Sequence, residues 1–430
     1  MTYITKTVLK AKREAETDKK FSLLKRIINL IEAKNKVNAK EARSDLDKIL
    51  AEGAKNKLSD VLEEEVESYL ERQRYEHQPK EKAKGYRNGY GKERKLCTGR
   101  GTITIQAPRV RDTNEPFHSE ILKPYQLQTP EVVELLPGLY LHGLSTGDFE
   151  IVLRYYLGEG AALSPASIVR LKQKWAKEYE DWCKRPLKSA YAYVWADGIF
   201  LKVGLCKDKL AILVVLGVNE DGKKEILAAI PGYRENESNW REVFRSLMAR
   251  GVEEIKLLIG DGIAALWSVV DEFYPNTVHQ RCWRHKIVNV LSKVPKSMED
   301  EVLKDLHTIY YATTKDAAIG GFVKFSEKYH KYSMAVKCLL ENQKELTAYF
   351  DFPKKHWASL KTTNPIESIF SPIRSRLVVA KRIVNHYSAL GLFHQLLLQR
   401  ELRFYRLASP HLAANVIAGV VYRNGKEVKE

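Results

Sequence analysis

The residues in this chain best suited to chemistry are acids placed where apolar runs break. Ile255 to Ile259 is a nearly continuous apolar run, the pattern of a strand buried on both faces. Gly260-Asp261-Gly262 interrupts it, and Ala264 to Trp267 then reads as the start of a helix. Such a strand–turn–helix sets Asp261 at the carboxyl end of a sheet strand, where open α/β sheets bind ligands, and the flanking glycines permit close backbone approach. An aspartate there can equally well cap the following helix, so its meaning depends on partners. Asp197, at the centre of the strand-like stretch Tyr191–Val203, is the first of them. Two carboxylates on adjacent strands repel each other unless a cation lies between them, and Mg²⁺ or Mn²⁺ is the hard, oxygen-preferring ion that fits. A third acid would complete a two-ion site suited to in-line displacement at phosphorus. Glu367, in Thr362-Thr363-Asn364-Pro365-Ile366-Glu367-Ser368, is the candidate. Asn364, Pro365 and Glu367 also spell a helix capping box, and the residues alone leave both roles open.

The elements that must position these acids follow from patterning. Tyr191–Val203, Leu210–Val218 and Glu225–Ile230 read as three strands, the last two joined by a hairpin at Asp221-Gly222. A helix over Ser238–Arg250 with Ser238 as its cap, the Ile255 strand, a helix over 263–273 and a short strand near Val278 follow. Three antiparallel strands, then helix, strand, helix and strand, predict an α/β fold with a mixed sheet of the ribonuclease H-like kind. In that arrangement the middle of the first strand lies beside the end of the fourth, so Asp197 and Asp261 face each other. His285–Tyr349 has helical periodicity and no strand pattern, which marks an all-helical insertion before sheet-packing residues return around Trp357–Phe370.

Upstream, the expected units are a helical region over 1–76, a basic β/loop region over 77–115 and a helical region over 116–186. The core occupies 187–285 and 357–405 around the insertion at 286–356, with a tail at 406–430. Ser59 reads as the cap of a helix over Asp60–Arg74, and Thr102–Gln106 alternates like a strand. Arg87, Lys92, Arg94, Lys95, Arg109 and Arg111 are interleaved with Tyr86 and Tyr90, the composition that suits a nucleic-acid backbone. Helices over 147–157 and 164–175, joined by Gly158-Glu159-Gly160, make a helix-turn-helix candidate presenting Arg170, Lys172 and Lys174; any helical hairpin has the same pattern.

Composition agrees with a polyanionic partner, since the 430 residues carry a formal net charge of +17. Five scattered cysteines argue against a disulfide framework and for a reducing compartment. No signal-peptide core opens the chain and no apolar run is long enough to span a bilayer, so the expectation is a soluble, cytoplasmic protein with no membrane partner.

Taken in order, GYRNGYGKERKL with TITIQAPRVRD (85–112), LHGLST (141–146), ADGIF (196–200), GYRENESNW (232–240), GDGIAALW (260–267), HQRCWRHK (279–286) and TTNPIES (362–368) resemble the mutator-type transposases of bacterial and archaeal insertion sequences. The resemblance covers about residues 60–415. It implies a DDE enzyme of ribonuclease H-like fold, with Asp197, Asp261 and Glu367 as the triad and as ligands of two Mg²⁺ ions, Mn²⁺ substituting. It further implies cleavage at terminal inverted repeats, transfer of the 3′-hydroxyl ends into target DNA, and a homodimer or larger synaptic assembly. The rivals are a transposase-derived DNA-binding protein that no longer cuts, and a ribonuclease or resolvase of the same fold. Pro372, where relatives continue their helix, is expected to kink or end it just after Glu367. Cys282 and His285 form a CxxH without a second ligand pair, so they read as support for the fold or for the acids rather than as a zinc site. Asn364 and Trp240 are likewise expected to support the site, Trp240 by packing the helix entrance.

Overall fold

The computed structural model describes residues 45–77, 79, 83–99, 101–141, 165–202, 209–232, 235–379 and 386–428. They fall into two compact units that divide between Leu171 and Lys172.

In the first unit a helix, α1 (Asp45–Leu70), buries Leu62, Val66 and Leu70. Ser59 does not cap it; the helix runs straight through, and the Ser59 hydroxyl bonds back to the Lys55 carbonyl at 2.9 Å. Four short strands follow where one was expected: β1 (Tyr86–Tyr90), β2 (Arg94–Thr98), β3 (Gly101–Ile105) and β4 (Pro108–Arg111). β2 pairs with β3 and β1 with β4, both antiparallel. Leu96, Ile103 and Ile105 pack with Leu62 and Leu122 into a small core. α2 (Pro130–Leu141) ends the described part, and the turn of the helix-turn-helix candidate lies outside the described residues. α3 (Pro165–Lys184) carries the candidate reading-helix residues.

The second unit is a mixed α/β fold around a five-stranded sheet. Its strands are β5 (Ala190–Lys202), β6 (Lys209–Val218), β7 (Lys224–Gly232), β8 (Glu254–Gly260) and β9 (Val278–Arg281), ordered β7-β6-β5-β8-β9. β5, β6 and β7 run antiparallel, whereas β8 and β9 are parallel to β5. The β6–β7 turn is closed by Asn219, whose Oδ1 accepts from the backbone of Asp221 and Lys223 at 3.1 Å, with Gly222 at φ +66°. α4 (Glu237–Ala249) and α5 (Ala264–Phe273) are the two crossovers. Asn236, not Ser238, caps α4, its side chain accepting from Asn239 N at 3.0 Å. Trp240, Phe244 and Leu247 of α4 and Leu266, Val269 and Val270 of α5 pack with Val194, Ala196 and Leu258 of the sheet.

After β9 come α6 (Trp283–Leu291), α7 (Glu299–Tyr310), α8 (Lys315–Lys328), α9 (Ser333–Leu340), α10 (Gln343–Thr347) and α11 (Trp357–Leu360). Trp283 is buried among them, stacked on Phe322 with its indole N–H on the Leu346 carbonyl at 2.8 Å. α12 (Asn364–Val379), α13 (His386–Glu401) and α14 (His411–Ile417) then return to the sheet, α12 and α14 against β5 and α13 against β7. α12 does not end at Pro372. It continues past it, because Ile366, Ile369, Phe370 and Ile373 are all buried, and that packing outweighs the one backbone bond proline removes.

Candidate active site

Strand register brings the two aspartates together. Trp195 of β5 pairs with Ile259 of β8 in the parallel ladder, so Asp197 and Asp261 follow two residues on along each strand, on the same side of the sheet. Asp261 lies just past the end of β8 and accepts from Ile263 N at 3.1 Å, closing the turn into α5. Gly262, at φ +86°, is the residue whose glycine identity matters in this turn: a side chain there would run into the Arg281 guanidinium. Asp197 is still inside β5 and accepts only from its neighbour Gly198 N, at 2.8 Å, with no ion pair among the described residues. Burial pushes its carboxyl up to about 7, and Asp261 and Glu367 add to the rise while Gly198 and His285 oppose it.

One face of β5 climbs toward the acids in steps, and each step is tied to the chain that leads into α12. Tyr193 OH meets His356 Nδ1 at 2.7 Å, Trp195 Nε1 donates to the Thr362 carbonyl at 3.2 Å, and Asp197 comes next. Glu367 stands in the first turn of α12. The capping box expected there does not form. Glu367 N bonds the Thr363 carbonyl at 2.9 Å, so Thr363 takes the cap position, one residue before Asn364. The carboxylate points away from the Asn364 amide: Oε1 lies 3.1 Å from Thr363 Oγ1, and Oε2 accepts from Arg284 Nη1 at 2.7 Å. The same Arg284 nitrogen reaches Asn364 Oδ1 at 3.3 Å, and His285 Nε2 lies 3.5 Å from Glu367 Oε1.

Hydrogen bonding to the Cys282 side chain, with Glu367 and Asp197 nearby, raises His285 to about 9. Burial pushes the Cys282 thiol up, but hydrogen bonding to His285 and its charge outweigh that and bring it below its ordinary value.

A fourth acid was missed from the sequence. Glu235, in the loop after β7, packs so tightly over Gly198 that a methyl at that position would overlap its Oε1. Burial raises it to about 7, and Asp261 and Asp197 are the next causes. The signal was present: a glycine directly after a strand-centre aspartate marks close approach by another group. Among the described residues, no three His, Cys, Asp or Glu side chains converge closely enough to hold a metal ion as they stand.

The other sequence candidates have varied surroundings. Trp240 is buried in the core, as expected. Trp267 stacks on His279 with ring centroids 4.5 Å apart. Arg87 is engaged by Glu63 and Glu67 of α1, and Arg94 donates to the Lys123 and Leu122 carbonyls at 3.2 and 3.3 Å. Lys92, Lys95, Arg109 and Arg111 are exposed, Arg111 at 3.7 Å from Asp112. On α3, Arg170 and Lys174 are exposed, Lys174 lying 3.7 Å from Glu178, and Lys172 is half-buried. No helix among the described residues is long and apolar enough to cross a membrane.

Known proteins share this chain's sequence over most of its length. It is 40% identical over 295 residues to the transposase for insertion sequence element IS6120 of Mycolicibacterium smegmatis, covering 68% of this chain and 91% of that one. It is 37% identical over 270 residues to the transposase for insertion sequence element IST2 of Acidithiobacillus ferrooxidans, covering 62% of this chain and 91% of that one. To the transposase for insertion sequence element ISRM5 of Rhizobium meliloti (strain 1021) it is 28% identical over 352 residues, 81% of this chain and 86% of that one. Residues 27–405 match the sequence profile of the family described as Transposase, Mutator family. This chain belongs to the Mutator family of transposases.

Proposed function

We propose that this transposase has a ribonuclease H-like core and cuts DNA at the terminal inverted repeats of its own element. In this reading it then joins the freed 3′ ends to target DNA, with Asp197, Asp261 and Glu367 as the catalytic acids. The observation that carries the proposal is the parallel register of Trp195 with Ile259, which sets two carboxylates side by side at the end of a sheet.

The donor set fits divalent ions in its chemistry. Asp197 is half-buried, lacks an ion pair among the described residues and feels the charge of both other acids, so a cation is the group that would relieve it. Asp197 and Asp261 would hold the ions, Mg²⁺ or Mn²⁺, with Glu367 completing the set. When bound, the ions supply Lewis acidity and neutralise phosphate charge.

The chain's own residues do the rest. Asp197 is fixed by its place in β5 and Asp261 by the short β8–α5 turn, so together they would hold the ions at set positions relative to the scissile phosphate. Arg284, half-exposed beside Glu367, offers a guanidinium to a phosphate oxygen. In the first step water attacks phosphorus and the 3′-oxygen leaves with a proton, giving a 3′-hydroxyl and a 5′-phosphate. In the second, that hydroxyl attacks a target phosphodiester; one P–O bond forms and one breaks, so no outside energy source is needed. No side chain becomes covalently attached to DNA.

The test is end cleavage. Asp261→Asn and Glu367→Gln should bind inverted-repeat DNA as the native protein does yet release no 3′-hydroxyl in Mg²⁺. Native-rate cleavage by either variant overturns the assignment.

A further inference from the structure

The acids sit on three elements, and two of them, the end of β8 and the start of α12, meet at one buried residue that the proposed chemistry does not use. Cys282 lies between β9 and α6 with its side chain fully buried. Its backbone N–H donates to the Gly260 carbonyl at 2.7 Å, and Gly260 is the residue directly before Asp261. Its Sγ accepts from Thr363 N at 3.3 Å and lies 3.2 Å from Thr363 Oγ1. Thr363 directly precedes α12, and its Oγ1 is 3.1 Å from Glu367 Oε1. The neighbours on either side tighten the joint: Trp283 N donates to the Lys361 carbonyl at 2.9 Å, and the Trp195 indole, two residues before Asp197, donates to the Thr362 carbonyl at 3.2 Å.

We infer that Cys282 is a positioning residue that registers the third acid against the first two. This rests on Glu367 being a catalytic acid. The need for such a joint follows from the chain itself: Cys282 and Thr363 are 81 positions apart, and all the helices from α6 to α11 lie between them. Nothing local therefore sets where α12 begins relative to β8. A thiol suits the joint because sulfur is large enough to accept a backbone N–H and reach a hydroxyl at once, at distances over 3 Å. The Thr363 hydroxyl has a single proton. Sγ and Glu367 Oε1 both lie within reach of that proton, so the hydroxyl is the link between the sulfur and the carboxylate. α6, which opens directly after Cys282, adds Arg284 and His285 to the same carboxylate. Glu367 is thus held on each side by groups whose positions Cys282 determines.

The experiment compares Cys282→Ala, Cys282→Ser, Thr363→Val and Thr363→Ser in the full chain. It reads inverted-repeat affinity and the single-turnover cleavage rate per active molecule in Mg²⁺. Cys282→Ala should lower the rate about tenfold to a hundredfold with affinity unchanged, the loss expected when a catalytic group is displaced by about 1 Å. Cys282→Ser, which keeps an acceptor and a donor, should recover most of that loss. Thr363→Val keeps the backbone bond and should still slow cleavage, Thr363→Ser should restore it, and the two slow changes combined should cost no more than the worse one. That pair also serves if Cys282→Ala does not fold. Native cleavage by Cys282→Ala or by Thr363→Val, or losses that multiply in the double variant, overturn the inference. Glu367→Gln separates the two readings: if it cleaves normally the catalytic assignment has failed, whereas if it is inactive while Cys282→Ala is native-like, only the joint has.

Discussion

Asp197 stands where its charge costs the folded protein stability. Burial moves its carboxyl from 3.8 to about 7. Between those values the native state binds the proton more tightly than the unfolded chain does, so stability falls as pH rises through this window. The cost is about 2 kcal/mol at pH 5 and about 4 kcal/mol at pH 8, relative to a carboxyl that titrates alike in both states. Asp197→Asn is nearly isosteric and keeps the acceptor for Gly198 N, yet carries no charge. In chelator, the variant should therefore be the more stable protein, and its margin over the native chain should widen by about 2–3 kcal/mol between pH 5 and pH 8. Urea unfolding of both proteins at several pH values measures this. Titrating groups remote from Asp197 cancel in the difference between the two curves, which leaves Asp197 and the groups that feel its charge, Glu235 and His285. Adding Mn²⁺ at pH 8 should stabilise the native chain and leave Asp197→Asn nearly unmoved. A separation that stays constant with pH, or a variant that is less stable at pH 8, would refute the account of Asp197 as a destabilised buried acid.

Two further outcomes follow from the same geometry. Gly198→Ala puts a methyl against Glu235 Oε1 and should destabilise the fold by about 1–3 kcal/mol, a cost that Glu235→Ala in the same chain should largely remove; both are read by thermal melting. Lys95→Ala and Arg109→Ala, which remove exposed charges, should each reduce the slope of log affinity against log salt for inverted-repeat DNA by about 0.9 if they meet phosphates, whereas Arg87→Ala should chiefly lower the melting temperature by leaving Glu63 and Glu67 unpaired.

What could be read from the sequence was whatever neighbouring residues determine. The apolar runs of β5, β6 and β8 and the Asp221-Gly222 turn are local signals, and the strands lie within a few residues of where they were expected. The aspartates inherit that legibility because each sits at a fixed place on a strand. Local rules failed where distant packing had the larger free energy. Pro372 removes a helix bond but lies among four buried apolar residues, and Ser59 has the chemistry of a cap but sits in a helix already under way. Charge was the least legible property of all. Arg87 looks like a phosphate contact in a basic stretch, yet two glutamates on α1 hold it. Glu235 looks like a loop residue, yet it leans on Gly198 beside Asp197. Glu367 looks like half of a capping box, yet its partners are Thr363, Arg284 and His285, two of them from the far end of an inserted helical segment. A carboxylate is assigned its work by the charges around it, and with seven α-helices between Asp261 and Glu367 those charges arrive from outside any local window. The turn over Cys282–His285 is where such remote contacts gather, since Cys282 meets Thr363 and both Arg284 and His285 reach Glu367.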